Sequence, residues 1–439
     1  MFLQDLKNLQ YPSIILYLLK WVLVALVIGV CVGGVTAFFL RALDWSTFYR
    51  DENSKIIWLL PVAGFVIGVL YHYFGKSVVR GNNQLIDEYH YPDKVVPFKM
   101  APLVLFTTLG THLFGGSAGR EGTAVQMGGA IADQLSRFID ITSWDRRLLI
   151  IMGISAGFSA VFGTPLAGAI FALEVLVIGR IRFEALMPSM LIAIIADQSC
   201  RFFGGAHTDY AVAVVPNMSI YNIGLTIVAG ICFGIIARIF SKSTHFWSTQ
   251  FKRLNYPPLR PVIGGIIIAG LVYYMGTTRY LGLGVPVIIE SFSQQVLPYD
   301  FIVKLLFTTF TLGAGFKGGE VTPLFFVGAT LGNVLVWFLP LPMDLLAAMG
   351  FVAVFAGATN TPIACTLMGI ELFGVEVGQY VAVSCFIAYL FSGHSGIYSS
   401  QKIGSVKHPI FDIEKGKILS EIVDFRRRKN EEDSGDGLS

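Results

Sequence analysis

Charge is scarce in this chain: of 439 residues only 14% are Asp, Glu, Lys or Arg, against about 25% in a soluble domain. The scarcity is uneven. Residues 406–439 hold 15 of the 61 charged side chains, which leaves 46, roughly 11%, for the first 405. With 54% apolar residues, that body is suited to lipid rather than water. Cysteine is sparse too. There are five, without metal or redox spacing, and Cys31, Cys232, Cys365 and Cys385 lie in apolar runs, where they read as small buried hydrophobes. A secreted disulfide scaffold is thereby excluded, as are collagen and disorder by the aperiodic glycines and the hydrophobicity. An excess of one charge is also missing: 32 Lys and Arg stand against 29 Asp and Glu, so no basic footprint for nucleic acid exists. No cofactor and no metal are expected.

What is present begins with an uncharged run at 21–40, long enough to span a bilayer and longer than a signal-peptide core, hence retained. Arg426, Arg427, Arg428 and Lys429 follow the last hydrophobic region and read as a cytoplasmic tail by the positive-inside bias.

The chain repeats itself at an offset near 200. Gly29 and Gly33 are answered by Gly230 and Gly234, Leu60-Pro61-Val62-Ala63-Gly64 by Arg260-Pro261-Val262-Ile263-Gly264, and Leu105-Phe106-Thr107-Thr108 by Leu306-Phe307-Thr308-Thr309. Glu121-Gly122-Thr123 corresponds to Glu320-Val321-Thr322, and Met152, Thr164-Pro165 and Glu174 correspond to Met349, Thr361-Pro362 and Glu371. The expected organisation is an N-terminal cytoplasmic segment at 1–10, a first transmembrane repeat at 11–205, a linker at 206–220, a second repeat at 221–405 and a polar cytoplasmic tail at 406–439. Such repeats are typical of transporters, and we take the second as inverted in the membrane.

Matching helices are broken. The apolar runs 101–114 and 305–316 would reach roughly 18 to 21 Å, short of an about 30 Å hydrocarbon core. Each runs into a glycine-rich polar break, at 115–122 and 313–320, and backbone opened at membrane depth must line a cavity or be buried in protein. The helices that restart there present unpaired N–H groups and the positive end of their dipoles, which attract a small anion. Glycines at 119, 122, 318 and 319 let backbone approach it, and Thr123 and Thr322 add hydroxyl donors or act as N-caps.

Glu121 is the principal candidate. An acid deep in a membrane costs about 2.5 to 3.5 kcal/mol, so it tends to face a pathway. Ionised, it would sit in the donor-rich site that an anion wants; protonated, it has no reason to stay. The plainer alternative is a helix-start glutamate paired with Arg120. Glu320 matches it in the second half, which suits a two-carboxylate site better than the alternative of a structural pair with Lys317. Glu174 and Glu371 read as structural. Asn82 and Asn83 suit a turn but also carry amide donors, and Tyr398 offers a phenol to the site or belongs to an interfacial belt.

Gly119-Arg120-Glu121-Gly122-Thr123, Gly318-Gly319-Glu320-Val321-Thr322-Pro323, Gly81-Asn82-Asn83 and Tyr398 resemble the anion-binding segments of the CLC family of chloride channels and proton-coupled antiporters. The resemblance implies an all-α polytopic fold of two inverted-topology repeats of broken, tilted transmembrane helices, assembled as a homodimer with one pore per subunit. It makes Glu121 the external gating glutamate and Tyr398 the central tyrosine. Asn82, Asn83, Gly119, Arg120, Gly122, Thr123, Gly319, Val321, Thr322 and Tyr398 become the anion-binding residues, with Glu121 and Glu320 moving protons.

Four departures narrow the resemblance. Thr123 replaces the proline of the usual Gly-Arg-Glu-Gly-Pro, and Gly81-Asn82-Asn83-Gln84-Leu85 replaces Gly-Ser-Gly-Ile-Pro. The inner proton-transfer glutamate aligns with Val175, beside Glu174, and Glu320 with Val321 alters the Gly-Gly-x-Phe-x-Pro segment. These changes resemble the fluoride-selective bacterial branch, which exports fluoride in exchange for protons. The implied protein is a multi-pass fluoride/proton antiporter of the bacterial inner membrane with cytoplasmic termini. Chloride/proton exchange or a passive anion channel is the alternative. Gly115-Gly116-Ser117-Ala118-Gly119 also satisfies G-x-S-x-G, the signature of a serine hydrolase, but lacks the strand and base that a nucleophile elbow needs.

Overall fold

The computed structural model describes residues 11–138, 142–422 and 425. The expected segment 1–10 and the basic cluster Arg426, Arg427, Arg428 and Lys429 lie outside the described residues. Sixteen α-helices carry the described fold. The first eight are α1 (Tyr11–Glu52), α2 (Leu60–Tyr73), α3 (Asn82–His90), α4 (Met100–Leu113), α5 (Glu121–Gln134), α6 (Ser143–Phe162), α7 (Pro165–Glu174) and α8 (Leu186–Phe202). The second eight are α9 (Ile220–Lys252), α10 (Leu259–Met275), α11 (Val285–Ser293), α12 (Asp300–Gly313), α13 (Val321–Leu335), α14 (Met343–Thr359), α15 (Pro362–Phe373) and α16 (Gly378–Phe391). Each helix of the first set has a counterpart of similar length in the second, in the same order. Sheet is limited to a parallel pair of two-residue strands, β1 (Val177–Ile178) and β2 (Lys402–Ile403).

Apolar composition sorts these helices by depth. Ile14–Glu52 and Ile220–Lys252 are long and apolar enough to cross a membrane, and they expose Leu16, Leu23, Val27, Ile235 and Ile239, as lipid contact requires. By contrast, every residue of α13 is buried. A helix that is hydrophobic all round belongs inside the protein, and at 15 residues it cannot span the bilayer alone.

The halves meet about an approximate two-fold axis on which equivalent residues pair. Gly119 N–H donates to the Gly319 carbonyl at 2.6 Å and Gly319 N–H returns a bond to the Gly119 carbonyl at 2.7 Å, an antiparallel bridge. Equivalent segments therefore run in opposite directions, and at this offset of 200 Glu320 answers Arg120, each the N-cap residue of its helix, while Glu121 answers Val321 and not Glu320 as the sequence match has it. The breaks that reach this axis turn at Gly115 (φ 91°) and Gly315 (φ 104°), where a side chain would be strained. A second exchange joins α7 and α15. Both start with proline after a threonine that makes no side-chain cap, and the missing acceptor comes from the other half. Glu174 accepts from Ile363 and Ala364 N–H at 3.2 and 2.9 Å, and Glu371 accepts from Leu166 and Ala167 N–H at 2.9 and 2.8 Å. Carboxylates on orphan N–H groups also complement the helix dipoles.

Glycine contacts let backbones pack directly within each half. A methyl group at Gly328 would overlap the Gly350 carbonyl, just as one at Gly128 would overlap that of Gly153. Gly328→Ala is expected to destabilise the protein by about 1–3 kcal/mol through overpacking. Thermal unfolding in detergent checks this, with Gly34→Ala as a control whose methyl would make only ordinary contact, 3.4 Å from Phe203.

Candidate anion and proton site

The polar breaks deliver the first turns of α5 and α13 to the centre of the molecule, and Glu121 lies where they meet. Its carboxylate, 1% exposed, does not point into solvent. Oε2 accepts from Thr322 N–H and from Arg120 N–H, each at 3.1 Å, and Oε1 accepts from the Thr322 hydroxyl. The Arg120 Nε stands 3.7 Å from Oε1 but is buried without a hydrogen bond. Both alternatives for Glu121 are thus present together, the pairing with Arg120 being the looser. The acid sits on the unpaired N–H end of α13, the position that the helix dipole offers to any anion.

Two clefts adjoin this seat. One of about 20 Å³ is bordered by Arg120, Glu121 and Thr322, with Tyr210 among its walls; it has room for about one water-sized particle. The other, of about 170 Å³, is bordered by Asn82, Asn83, Gln126, Lys317, Glu320 and Tyr398. They share no lining residue, yet Glu320, the N-cap residue of α13, and Thr322, in its first turn, are two positions apart, so the start of that helix walls both.

The larger cleft gathers polar groups with nothing to hold. Gly81, at φ 55°, turns the chain into α3 so that Asn82 faces the first turn of α5, its Nδ2 lying 3.0 Å from the place a Cβ on Gly122 would take. Asn82 Oδ1 is buried and unpartnered. Asn83 differs: its Oδ1 accepts from Ser400 N–H at 3.0 Å, tying α3 to the segment that carries Tyr398. Only oxygen atoms distinguish the two amides: neither side-chain NH2 makes a hydrogen bond among the described residues, so both keep their donors for an anion. Tyr398 is 5% exposed and lines the cleft, which rules out an interfacial belt position. Neither its hydroxyl nor the Glu320 carboxylate has a hydrogen-bond or ion-pair partner among the described residues. Lys317 makes no ion pair with Glu320 and lies over the Tyr71 ring at 4.1 Å.

Some expected donors are engaged elsewhere. The N–H groups of Gly119 and Gly319 are spent on one another, so these glycines shape the site rather than line it with donors. Thr123 neither caps α5 nor reaches Glu121; its hydroxyl is 2.8 Å from that of Thr108. Gly122 and Val321 stand in the two first turns. The Val175 carbonyl, where the resemblance would place an inner acid, accepts from Gln401 Nε2 at 2.7 Å.

Two polar cleft residues, Gln126 and Arg80, are not singled out by the sequence, and Lys317 is singled out only as a partner for Glu320. Gln126 follows Gly122 by one helical turn and shares its face, a signal that the periodicity carries. The place of Lys317 shows only when the break folds back over Tyr71.

Ser117 is buried, and its hydroxyl lies 2.9 Å from that of Thr308, while His112 Nε2 faces the Gly119 carbonyl at 3.4 Å. No base reaches the serine. Ser117→Ala is accordingly expected to leave ion flux in liposomes within about twofold of the parent, since a single buried hydroxyl pair contributes only about 1 kcal/mol to stability.

Paired half-helices facing a dry, donor-rich centre define a polytopic membrane protein of the ion-transport class. Residues 63–393 match the voltage gated chloride channel family, and the chain belongs to that family, the CLC proteins, which are channels and transporters rather than enzymes. A chloride/fluoride channel protein of Pseudomonas syringae pv. tomato is 49% identical over 399 residues, covering 89% of this chain and 88% of its own. The H(+)/Cl(-) exchange transporter ClcA of Cronobacter sakazakii is 26% identical over 414 residues, covering 86% and 88%. Among solved structures, the crystal structure of a CLC-type fluoride/proton antiporter superposes with a TM-score of 0.85 at 35% identity, covering 88% of this chain and 98% of that one.

Proposed function

We propose that the protein is a fluoride/proton antiporter that exports fluoride across the bacterial cytoplasmic membrane, with Glu121 as the group that both carries the proton and competes with the anion. The observation that carries this reading is the Glu121 carboxylate seated on the Thr322 N–H and hydroxyl. An arriving anion competes for the same donors. Protonation removes the charge that the α13 dipole holds, and the side chain yields its seat. Similarity to a fluoride/proton antiporter structure and to a chloride/fluoride channel protein supports the choice of ion.

Fluoride is small and strongly hydrated, so a site must replace its water with several short donors. Asn82 or Asn83, Tyr398 and the first-turn N–H groups of α5 and α13 supply these, in a cleft whose wall also holds Lys317 and Arg80. Position 175 has no acid, and Glu320, unpartnered in the cleft, is the carboxylate placed to pass protons toward Glu121. The reading also takes the chain as two repeats at 11–205 and 221–405, as a homodimer, and as lying in the inner membrane with both termini in the cytoplasm.

Fluoride and chloride efflux from liposomes, with external pH recorded, tests it. Fluoride efflux is expected to drive proton uptake, with chloride slower. Equal, proton-coupled chloride flux would mean chloride exchange, and anion flux without a pH change would mean a channel.

A further inference from the structure

We propose that a separate basic cavity, formed where α3 and α7 end beside the β1–β2 pair, binds a phosphate-bearing anion: the headgroup of an acidic phospholipid or free phosphate. The cavity measures about 430 Å³ and is lined by Arg147, Arg180, Arg182 and Lys402 together with His90 and Tyr89, with no carboxylate in its wall. In a body so poor in charge, four cations around one space need a counter-charge.

The protein supplies only part of it. Asp87 is engaged by Arg80 at 2.7 Å and Glu88 by Arg146 at 3.0 Å. Glu184 meets only Arg182, at 3.4 Å. Arg147 donates to the His90 carbonyl at 3.4 Å, and its Nε is buried without a partner. Arg180 and Lys402 have no ion pair among the described residues. Arg147 and Lys402 are half-buried and without an ion pair among the described residues, a state that is costly unless a ligand completes them; Arg180 is exposed at the rim.

Size and chemistry choose the ligand. A halide would leave most of 430 Å³ empty, whereas guanidinium forks match the oxygens of a phosphate. Leu173, Val177 and Ile181 add an apolar wall, and Phe183, next to Arg182, is 76% exposed, which suits the glycerol and upper chain of a lipid. Basic pockets between membrane helices hold such headgroups. The cavity shares no lining residue with the cleft around Asn82 and Tyr398. Lys402 does lie four residues beyond Tyr398, on the strand that pairs with β1, so an occupant would brace that segment.

The test is thermal unfolding of the delipidated full chain in mild detergent, with dioleoylphosphatidylglycerol, dioleoylphosphatidylcholine, sodium phosphate or sodium chloride at matched ionic strength. Phosphatidylglycerol is expected to stabilise the parent, and the double variant Arg180→Gln, Lys402→Gln to bind it on the order of tenfold more weakly. If inorganic phosphate stabilises the parent and competes with the lipid, the natural ligand is the soluble ion. Equal stabilisation by phosphatidylcholine or chloride, or affinity unchanged in the variant, would overturn the proposal. Should the variant not fold, native mass spectrometry of the parent decides: retained phosphatidylglycerol in preference to phosphatidylcholine supports the site, and no preference refutes it. These readouts register binding and do not depend on which ion is carried.

Discussion

Glu121→Gln is expected to reduce fluoride-driven proton movement to the leak of empty liposomes, a loss of at least about a hundredfold, the scale of removing a positioned proton-transfer group. The amide fills the same volume, and its oxygen can still accept from Thr322 N–H, 3.1 Å from the carboxylate. It has no proton to gain or lose, so nothing dislodges it and fluoride exchange falls as well. Glu121→Ala has the opposite effect on the anion. With the seat cleared, fluoride passes without moving protons. A fluoride electrode and a pH electrode on the same vesicles read both quantities. Unchanged proton stoichiometry in the glutamine variant would end the assignment of Glu121.

The second large effect is expected at Glu320. Its carboxylate holds no partner among the described residues and lines the cleft shared with Asn82 and Tyr398, so Glu320→Gln removes a proton acceptor while sparing folding. Proton flux should fall by at least about tenfold, whereas the unfolding midpoint should not move. The informative quantity is the number of protons moved per fluoride, which drops if Glu320 passes them on. A constant ratio at a constant rate would mean that protons reach Glu121 through water alone.

The repeat was legible because it rests on residues whose chemistry is local: prolines that start helices, glycines at fixed places within them and polar breaks within apolar runs. The limits of α12 were less so. The apolar run begins at 305, yet the helix starts at Asp300. Two charged residues hid those first turns. Asp300 is bound by Arg279 and by the Tyr280 hydroxyl, the latter at 2.7 Å, and Lys304 is fully buried, donating to the Tyr280 and Gly282 carbonyls at 3.1 and 2.7 Å. Partners from another segment make such burial tolerable, and spacing along the chain does not reveal them. The site shows the same division. Glu121 announced itself as an acid at membrane depth, whereas the anchoring of Asn83 required Ser400, more than 300 residues away, and the engagement of Thr123 required Thr108.

The paired bonds between Gly119 and Gly319 constrain how exchange proceeds. They latch the two halves backbone to backbone beside the anion seat, and parting them would strand two donors and two acceptors in a dry interior, at about 1–3 kcal/mol for each group. Transporters that rock one half against the other open a gap along this seam. Here two backbone bonds stitch the seam beside the seat, so the exchange proposed for this protein is expected to proceed by the swing of single side chains rather than by a parting of the halves.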